Sequence, residues 1–340
     1  MYRYKLVKEA KKQICPNCRK RRFVRYIDLE KDEILPNIVG RCDREVNCGY
    51  HLTPKQYFET NGVLTSYHSS KIKRETKKEE PPTYHELTLV TQSGRNFKQN
   101  NFIQYLKTIF NEDQVKRIIL RYLLGTSNHW DGATVFWQID NNNLVRGGKI
   151  MLYLSATGKR VKKPFNHITW VHSVLLKKKV IHGFTLSQCL FGSHLLNQDK
   201  NKPVAIVESE KTACIMSELY DKYLWLACGS LSNINTKMFN PIKERKIVLY
   251  PDLSTNQKAF NKWTEKRDQL SEKGFDISVS RLLEEKSTVL QKEDGLDIAD
   301  FFVQNRKLLF SKTGIYNKLK SKNSNLEKLL ETFDLVIPYG

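Results

Sequence analysis

Apolar residues fall in two spacings along the chain. In the second half, short solid runs stand at 204–207 (VAIV), 223–227 (YLWLA), 247–250 (IVLY) and 275–280 (FDISVS), separated by helical patterns. Strands buried on both faces of a parallel sheet read as such continuous runs, and their alternation with helices predicts a Rossmann-like sheet. Upstream, NNFIQYLKTIF (100–110) and EDQVKRIILRYLLG (112–125) carry apolar residues at helical spacing, with Gly125 as the expected stop. The stretch 133–160 then alternates strand and turn, with an Asp-Asn-Asn-Asn tip at 140–143 and a second tip at Thr157-Gly158. The tail from about 303 to 335 reads as helix. Residues 67–83 (YHSSKIKRETKKEEPPT) are charged, end near a Pro pair and read as a linker.

Near the start, Cys15-Pro-Asn-Cys18 is followed by Cys42 and Cys48, with 23 and then five residues between. Two cysteine pairs around a strand-rich excursion are what a zinc ribbon requires, because two knuckles close one tetrahedral thiolate cage. All four thiolates are the expected ligands of a structural Zn²⁺, with His51 a weaker substitute for Cys48. A redox role for Cys-x-x-Cys is disfavoured, since no βαβ pattern surrounds it. Arg19, Lys20, Arg21, Arg22 and Arg25 flank the first knuckle and suit phosphate contact, although any one of them alone is an ordinary solvated cation. The remaining cysteines, Cys189, Cys214 and Cys228, sit in apolar surroundings and are expected in cores.

Charge narrows the partner. The chain of 340 residues has 57 Lys plus Arg against 36 Asp plus Glu, a formal +21 with a pI near 9.6. That surplus points to a polyanion, nucleic acid or an acidic membrane surface. No run of 18 apolar residues occurs, and no apolar signal region follows Met-Tyr-Arg-Tyr-Lys, so the expectation is a cytoplasmic protein without a membrane partner. Between Asn141 and Gln198 there is no Asp or Glu, yet there are nine Lys or Arg. A groove for phosphate must exclude carboxylates in this way. Arg146, Lys149, Lys159 and Arg160 lie on or beside the hairpins of this stretch, with Tyr153, Trp170 and His172 close in sequence as candidate stacking rings. Lys177, Lys178 and Lys179 read as a solvated run.

Three acidic points close apolar strands or turns: Glu208 after 204–207, Asp252 after 247–250, and Asp297 with Asp300 in GLDIADFF. Ligands in open α/β sheets bind beyond strand carboxyl ends. Carboxylates converging there could hold Mg²⁺, which prefers carboxylate and water oxygens. Glu210 fits a helix N-terminus, where negative charge complements the macrodipole. Lys211 faces phosphate or pairs with Glu210.

AIVESEKTA (205–213), VLYPD (248–252) and GLDIADFF (295–302) resemble the three acidic motifs of a TOPRIM domain, the metal-binding fold of bacterial primases, topoisomerases and some nucleases. The order of a zinc ribbon, then YLLGT…ATVFWQID…LVRGGKIMLYL, then these motifs is similar to a bacterial DnaG-type DNA primase core. It is also similar to primase-related TOPRIM proteins of plasmids and mobile elements. The resemblance implies an α/β fold, α+β overall: a zinc-ribbon domain at 1–66, the linker at 67–83, a basic α/β subdomain at 84–200, a TOPRIM domain at 201–305 and a helical tail at 306–340. It implies catalytic roles for Glu208, Asp252, Asp297 and Asp300, with Mg²⁺ or Mn²⁺ held by Glu208, Asp252 and Asp297. Arg146 and Lys149 fall where primases bind template or nucleotide, and Lys159, Arg160 and Lys211 join them as candidate nucleic-acid contacts. The implied activity is synthesis of short primers on single-stranded DNA from nucleotides, beside a helicase or other replication proteins. One position departs from the pattern. Ser254 stands where the second Asp of Asp-x-Asp is usual, which also suits a catalytically weakened nucleic-acid-binding module. A TOPRIM nuclease or topoisomerase is a third reading; the chain is short for a topoisomerase, and the phosphate loop of ATPase-coupled nucleases is absent from the sequence.

Overall fold

A computed structural model describes residues 3–7, 12–44, 47–61 and 81–310, with residues 323 and 332 besides. Most of the expected linker and of the expected helical tail lie outside the described residues. The chain divides into two compact units, Met1–Glu80 and Pro81–Gly340.

In the first unit, strands β1 (Tyr4–Leu6), β2 (Gln13–Ile14), β3 (Arg21–Asp28), β4 (Glu33–Ile34), β5 (Gly40–Cys42) and β6 (His51–Leu52) are short except for β3. β3 is the hub, pairing antiparallel with β1, β2, β4 and β5. Among the described residues the core is small: Phe23 packs with the thiols of Cys15 and Cys42, and Leu35 and Val39 are buried besides. A module with so little apolar content is of the kind that a bound metal completes. Helix α1 (Pro54–Thr60) follows, started by a reciprocal Thr53–Gln56 capping box and by Pro54, whose missing N–H costs nothing at a first helical position.

The second unit holds two sheets. Helices α2 (Leu87–Ser93), α3 (Asn101–Lys107) and α4 (Glu112–Tyr122) lead into β7 (Gly125–Ser127), β8 (Ala133–Ile139), β9 (Val145–Met151) and β10 (Ile168–Trp170), which pair antiparallel in the order β10-β9-β8-β7. Alternation along β8 and β9 sends side chains to two cores. Phe136 and Met151 pack with Phe102 and Ile103 of α3, while Val135, Trp137 and Ile150 pack with Val90 of α2 and with Val171, which opens α5 (Val171–Lys177). The helix stop expected at Gly125 is displaced. Leu123 takes the left-handed cap at φ 50°, its N–H bonded to Ile119 O, and Gly125 is already in β7. Glycine is needed there because a Cβ would fall 2.2 Å from Ser93 Oγ.

The parallel sheet consists of β11 (Val204–Val207), β12 (Leu224–Ala227), β13 (Ile247–Leu249) and β14 (Ile277–Val279), in the order β12-β11-β13-β14. Every neighbouring pair is parallel, as the solid apolar runs predict. Helix α6 (Glu210–Leu219) joins β11 to β12, short α7 (Thr236–Phe239) precedes β13, and α8 (Lys258–Ser271) joins β13 to β14. Then come α9 (Leu282–Lys286), α10 (Val289–Asp294) and α11 (Ile298–Phe310). Val204, Ile206 and Leu249 pack with Trp263 and Leu270 of α8; Ala205 and Val207 face the other way, into the core that also holds Phe136 and Met151. The two sheets therefore share one core. Cys214 and Cys228 are buried and Cys189 is half-buried.

Candidate functional site

In the first unit, the four cysteine Sγ atoms all lie within 4.8 Å of one another. Cys15 and Cys48 are 3.6 Å apart, and Cys18 and Cys42 3.9 Å. A tetrahedron with Zn–S bonds near 2.3 Å has edges of about 3.8 Å, so the cage has the size of a zinc site. The knuckle is shaped by backbone bonds: Cys15 N–H donates to Lys20 O, and Arg19 N–H donates to Cys15 O with Arg19 at φ 55°. The backbone of Lys20 is the main influence holding the Cys18 thiol down, to about 6. His51 is not part of the cage; it hydrogen-bonds Tyr26 through Nε2 at 2.8 Å. Arg19 and Arg21 are exposed beside the knuckle, and Arg22 and Arg25 are half-buried along β3.

The second site follows from strand order. β12 lies to one side of β11 and β13 to the other, so the chain direction of the crossovers reverses between β11 and β13. That switch point opens a crevice at the strand carboxyl ends. Glu208 follows β11 and Asp252 follows β13, one on each lip. A backbone bond from Leu253 N–H to Leu296 O brings the 295–302 motif alongside. Burial, then the charges of Glu208 and Asp297, push the Asp252 carboxyl well above the usual carboxylate range; Lys211 opposes this and Asp300 adds to it. Asp300 is raised too, first by burial and then by Asp297. Both shifts begin with loss of water around the carboxyl, and neighbouring carboxylate charge adds to it.

Each flanking group has a defined partner. Asp297 precedes α11 and caps it, its Oδ1 accepting from Asp300 N–H at 2.8 Å. Asp297 Oδ2 accepts from Thr212 Oγ1 at 2.6 Å and lies 3.6 Å from Lys211 Nζ. Lys211 Nζ also donates to Asp300 Oδ1 at 2.9 Å. Burial alone would lower the Lys211 pKa, but Asp297 and Asp300 outweigh it and raise it. Lys211 therefore neither pairs with Glu210 nor lies open to phosphate. Glu210 instead accepts from Lys149 of β9, both side chains being buried. At the first position of α6 its charge complements the helix end, as expected. Gly229 permits the close approach: at φ 75° its Cβ would lie 2.9 Å from Lys149 Nζ. Ser254, in place of a second acid, is buried and its Oγ accepts from the N–H of Ala259 at 2.7 Å, at the start of α8.

Among the described residues, only the four thiols meet the 4.8 Å spacing; Glu208, Asp252, Asp297 and Asp300 form no such set. Of the basic candidates, Lys149 is buried against Glu210, and Arg146 is held by Asp140 Oδ2 at 2.6 Å over the Tyr84 ring. Their charges are answered within the fold. Lys159 is exposed and Arg160 half-buried, with its Nε buried and without a hydrogen-bond partner. Tyr153 is a core residue. The partners Asp140 and Thr212 were not foreseen from the sequence. Thr212 stands within AIVESEKTA, where its position beside Lys211 was the available signal.

Residues 2–63 match a family model described as a zinc beta-ribbon finger, and residues 100–253 match one described as "Domain of unknown function (DUF6371)". No curated protein matches the sequence. Among solved structures, the chain is similar to the primase fragment of the bacteriophage T7 primase-helicase protein: 14% identity over 89% of this chain and 97% of that one, TM-score 0.39. It is also similar to the zinc-binding and RNA polymerase domains of Aquifex aeolicus primase, at 10% identity over 88% and 77%, TM-score 0.34. A DnaG primase catalytic domain bound to ssDNA matches at 12% identity over 66% and 82%, TM-score 0.36. These superpositions are loose, and the strand order and the thiol cage stand independently of them.

Proposed function

We propose that the chain is a primase-like protein that engages single-stranded DNA and nucleotides and joins nucleotides at the Glu208–Asp252 crevice. The observation that carries this reading is the topological switch point between β11 and β13, with Glu208 and the half-buried Asp252 on its two lips and the Asp297 motif hydrogen-bonded alongside through Leu253 and Leu296. Such a crevice is stabilised by a divalent cation. Mg²⁺ or Mn²⁺ there would be held by Glu208 and Asp252, with Asp297 in reserve behind Thr212 and Lys211, and would supply charge neutralisation for phosphoryl transfer. The chain's own residues set the stage. Lys211 keeps Asp297 and Asp300 in place, and the Lys149–Glu210 pair fixes the first turn of α6 against β9. The exposed cations beside the thiol cage, together with Lys159, are the groups best placed for phosphate contact. The motif resemblance to TOPRIM primases agrees with these assignments.

A second reading has its own support. Ser254 spends its hydroxyl on the start of α8, and both Asp297 oxygens are already hydrogen-bonded, which favours a nucleic-acid-binding module with reduced catalysis. The discriminating experiment supplies labelled nucleotides and mixed single-stranded templates with Mg²⁺ and with Mn²⁺. Primer-length products support the first reading; binding without products supports the second.

A further inference from the structure

Two connections emerge at one end of the antiparallel sheet. The turn between β7 and β8 carries His129 and Trp130, and the segment entering β10 carries Phe165 and His167. Their rings form a chain: His129 to Trp130 at 4.5 Å between centroids, Trp130 to His167 at 5.1 Å, and His167 stacked on Phe165 at 4.3 Å. Phe165 is 55% exposed, a large apolar ring facing water rather than a core. Trp130 is anchored on its inner side against the Val135–Ile150 core.

Both connections are braced. Gly132 closes the first at φ 73°, where a Cβ would lie 2.4 Å from Asn101 Oδ1. Asn101 in turn donates to Tyr153 O at 3.0 Å. In the second, Leu152 N–H donates to His167 O at 3.1 Å, and His167 N–H to Val161 O at 3.1 Å. The surroundings are cationic: the second connection contains Lys159, Arg160, Lys162 and Lys163, and the stretch from Asn141 to Gln198 has no acid. Burial, then the charges of Lys178 and Lys177, hold His129 below the usual imidazole range, so its ring is neutral near pH 7. Asp131 is the one acid within the ring-bearing turn.

We infer that His129, Trp130, Phe165 and His167 form a stacking platform for the unpaired bases of a single-stranded nucleic acid, with the neighbouring lysines on its phosphates. This rests on the nucleic-acid reading above and deepens it by giving the strand a place. Every base offers a π-face to such rings, and duplex bases, stacked on each other, do not. The register sets the platform at the end of the antiparallel sheet where β9 closes. Ile168 pairs with Met151, two residues along β9 from Lys149, which is about 7 Å of strand. Rings interleaved with cations and braced from behind suit a strand better than an apolar protein surface, which would meet a lysine-rich rim.

The test uses the full chain, labelled oligothymidine, and a blunt duplex of the same length. Phe165→Ala and Trp130→Ala should each weaken oligothymidine binding roughly tenfold. Phe165→Tyr should retain parental affinity. The slope of affinity against salt should stay unchanged in the aromatic variants and flatten in Lys162→Ala/Lys163→Ala. Tryptophan fluorescence should be quenched by oligothymidine in the parent and much less in Trp130→Ala. Parental single-strand affinity in Phe165→Ala overturns the platform while leaving nucleic-acid binding intact. An equal loss on duplex overturns base stacking. Absence of all nucleic-acid binding in the parent removes the platform together with the functional reading.

Discussion

Lys149 of β9 and Glu210 of α6 form an ion pair with both side chains buried, and it joins the antiparallel sheet to the first turn after β11. Removing one partner leaves an uncompensated charge in the interior. Lys149→Met should therefore destabilise the second unit by about 3–5 kcal/mol, and Glu210→Met by a similar amount. The double replacement should recover most of that loss, because two apolar side chains leave no orphan charge. Urea unfolding of the three variants checks this, and strict additivity would show that the pair is not coupled.

The crowded carboxyl of Asp252 makes a prediction of opposite sign. An acid whose folded pKa is raised binds more protons folded than unfolded, so its cost is absent below the unfolded value and grows as pH rises toward the folded one. Without divalent ions, Asp252→Asn should raise Tm by a few degrees at neutral pH and leave it unchanged at acidic pH. The parent should gain stability from Mg²⁺, and the gain should increase with pH; Asp252→Asn should lose most of it. Differential scanning calorimetry across pH, with and without Mg²⁺, reads all three.

Zinc should be confined to the first unit. Metal analysis should find about one Zn²⁺ per chain, and Cys15→Ser should abolish it and unfold residues up to 61. The unit from Pro81 onward has its own cores and should melt as before. Loss of both units on chelation would contradict this division.

His85 gives the second unit an acid limit. It is buried, stacked on Phe184 at 4.4 Å, and its Nε2 has no hydrogen-bond partner. Burial, with a smaller contribution from His172, lowers its pKa to about 4. A base depressed in this way costs stability as pH falls from about 6.5, fully below the folded value. His85→Phe should flatten that acid slope with little change at pH 8, measured by Tm between pH 4 and 8.

Much of this was legible in the sequence where chemistry is local. The four cysteines announce their cage through spacing alone, and the solid runs at 204–207 and 247–249 announce parallel strands because burial on both faces leaves no alternation. Glu208 and Asp252 could be placed on one edge because strand ends share it. Partner choice was not legible. Nothing in the order of residues says that Lys211 turns to Asp300, 89 positions away, or that Glu210 is met by Lys149 across 61. Those pairings depend on which sheet lies over which helix. The acid-free stretch misled in one respect for the same reason: Arg146 finds its carboxylate in Asp140, just before the stretch begins. Gly125, an apparent helix stop, proved to be a strand residue, since the left-handed cap fell to Leu123 two residues earlier.

The most direct test of the central claim is template-dependent primer synthesis by the parent beside Glu208→Gln. The substitution keeps the side chain's shape and removes the charge that would neutralise a cation in the crevice. The account predicts Mg²⁺- or Mn²⁺-dependent products from the parent, their loss by at least about a hundredfold in Glu208→Gln, and unchanged affinity for single-stranded DNA in both. Products at the parental rate from Glu208→Gln would place the chemistry outside the Glu208–Asp252 crevice and contradict the account.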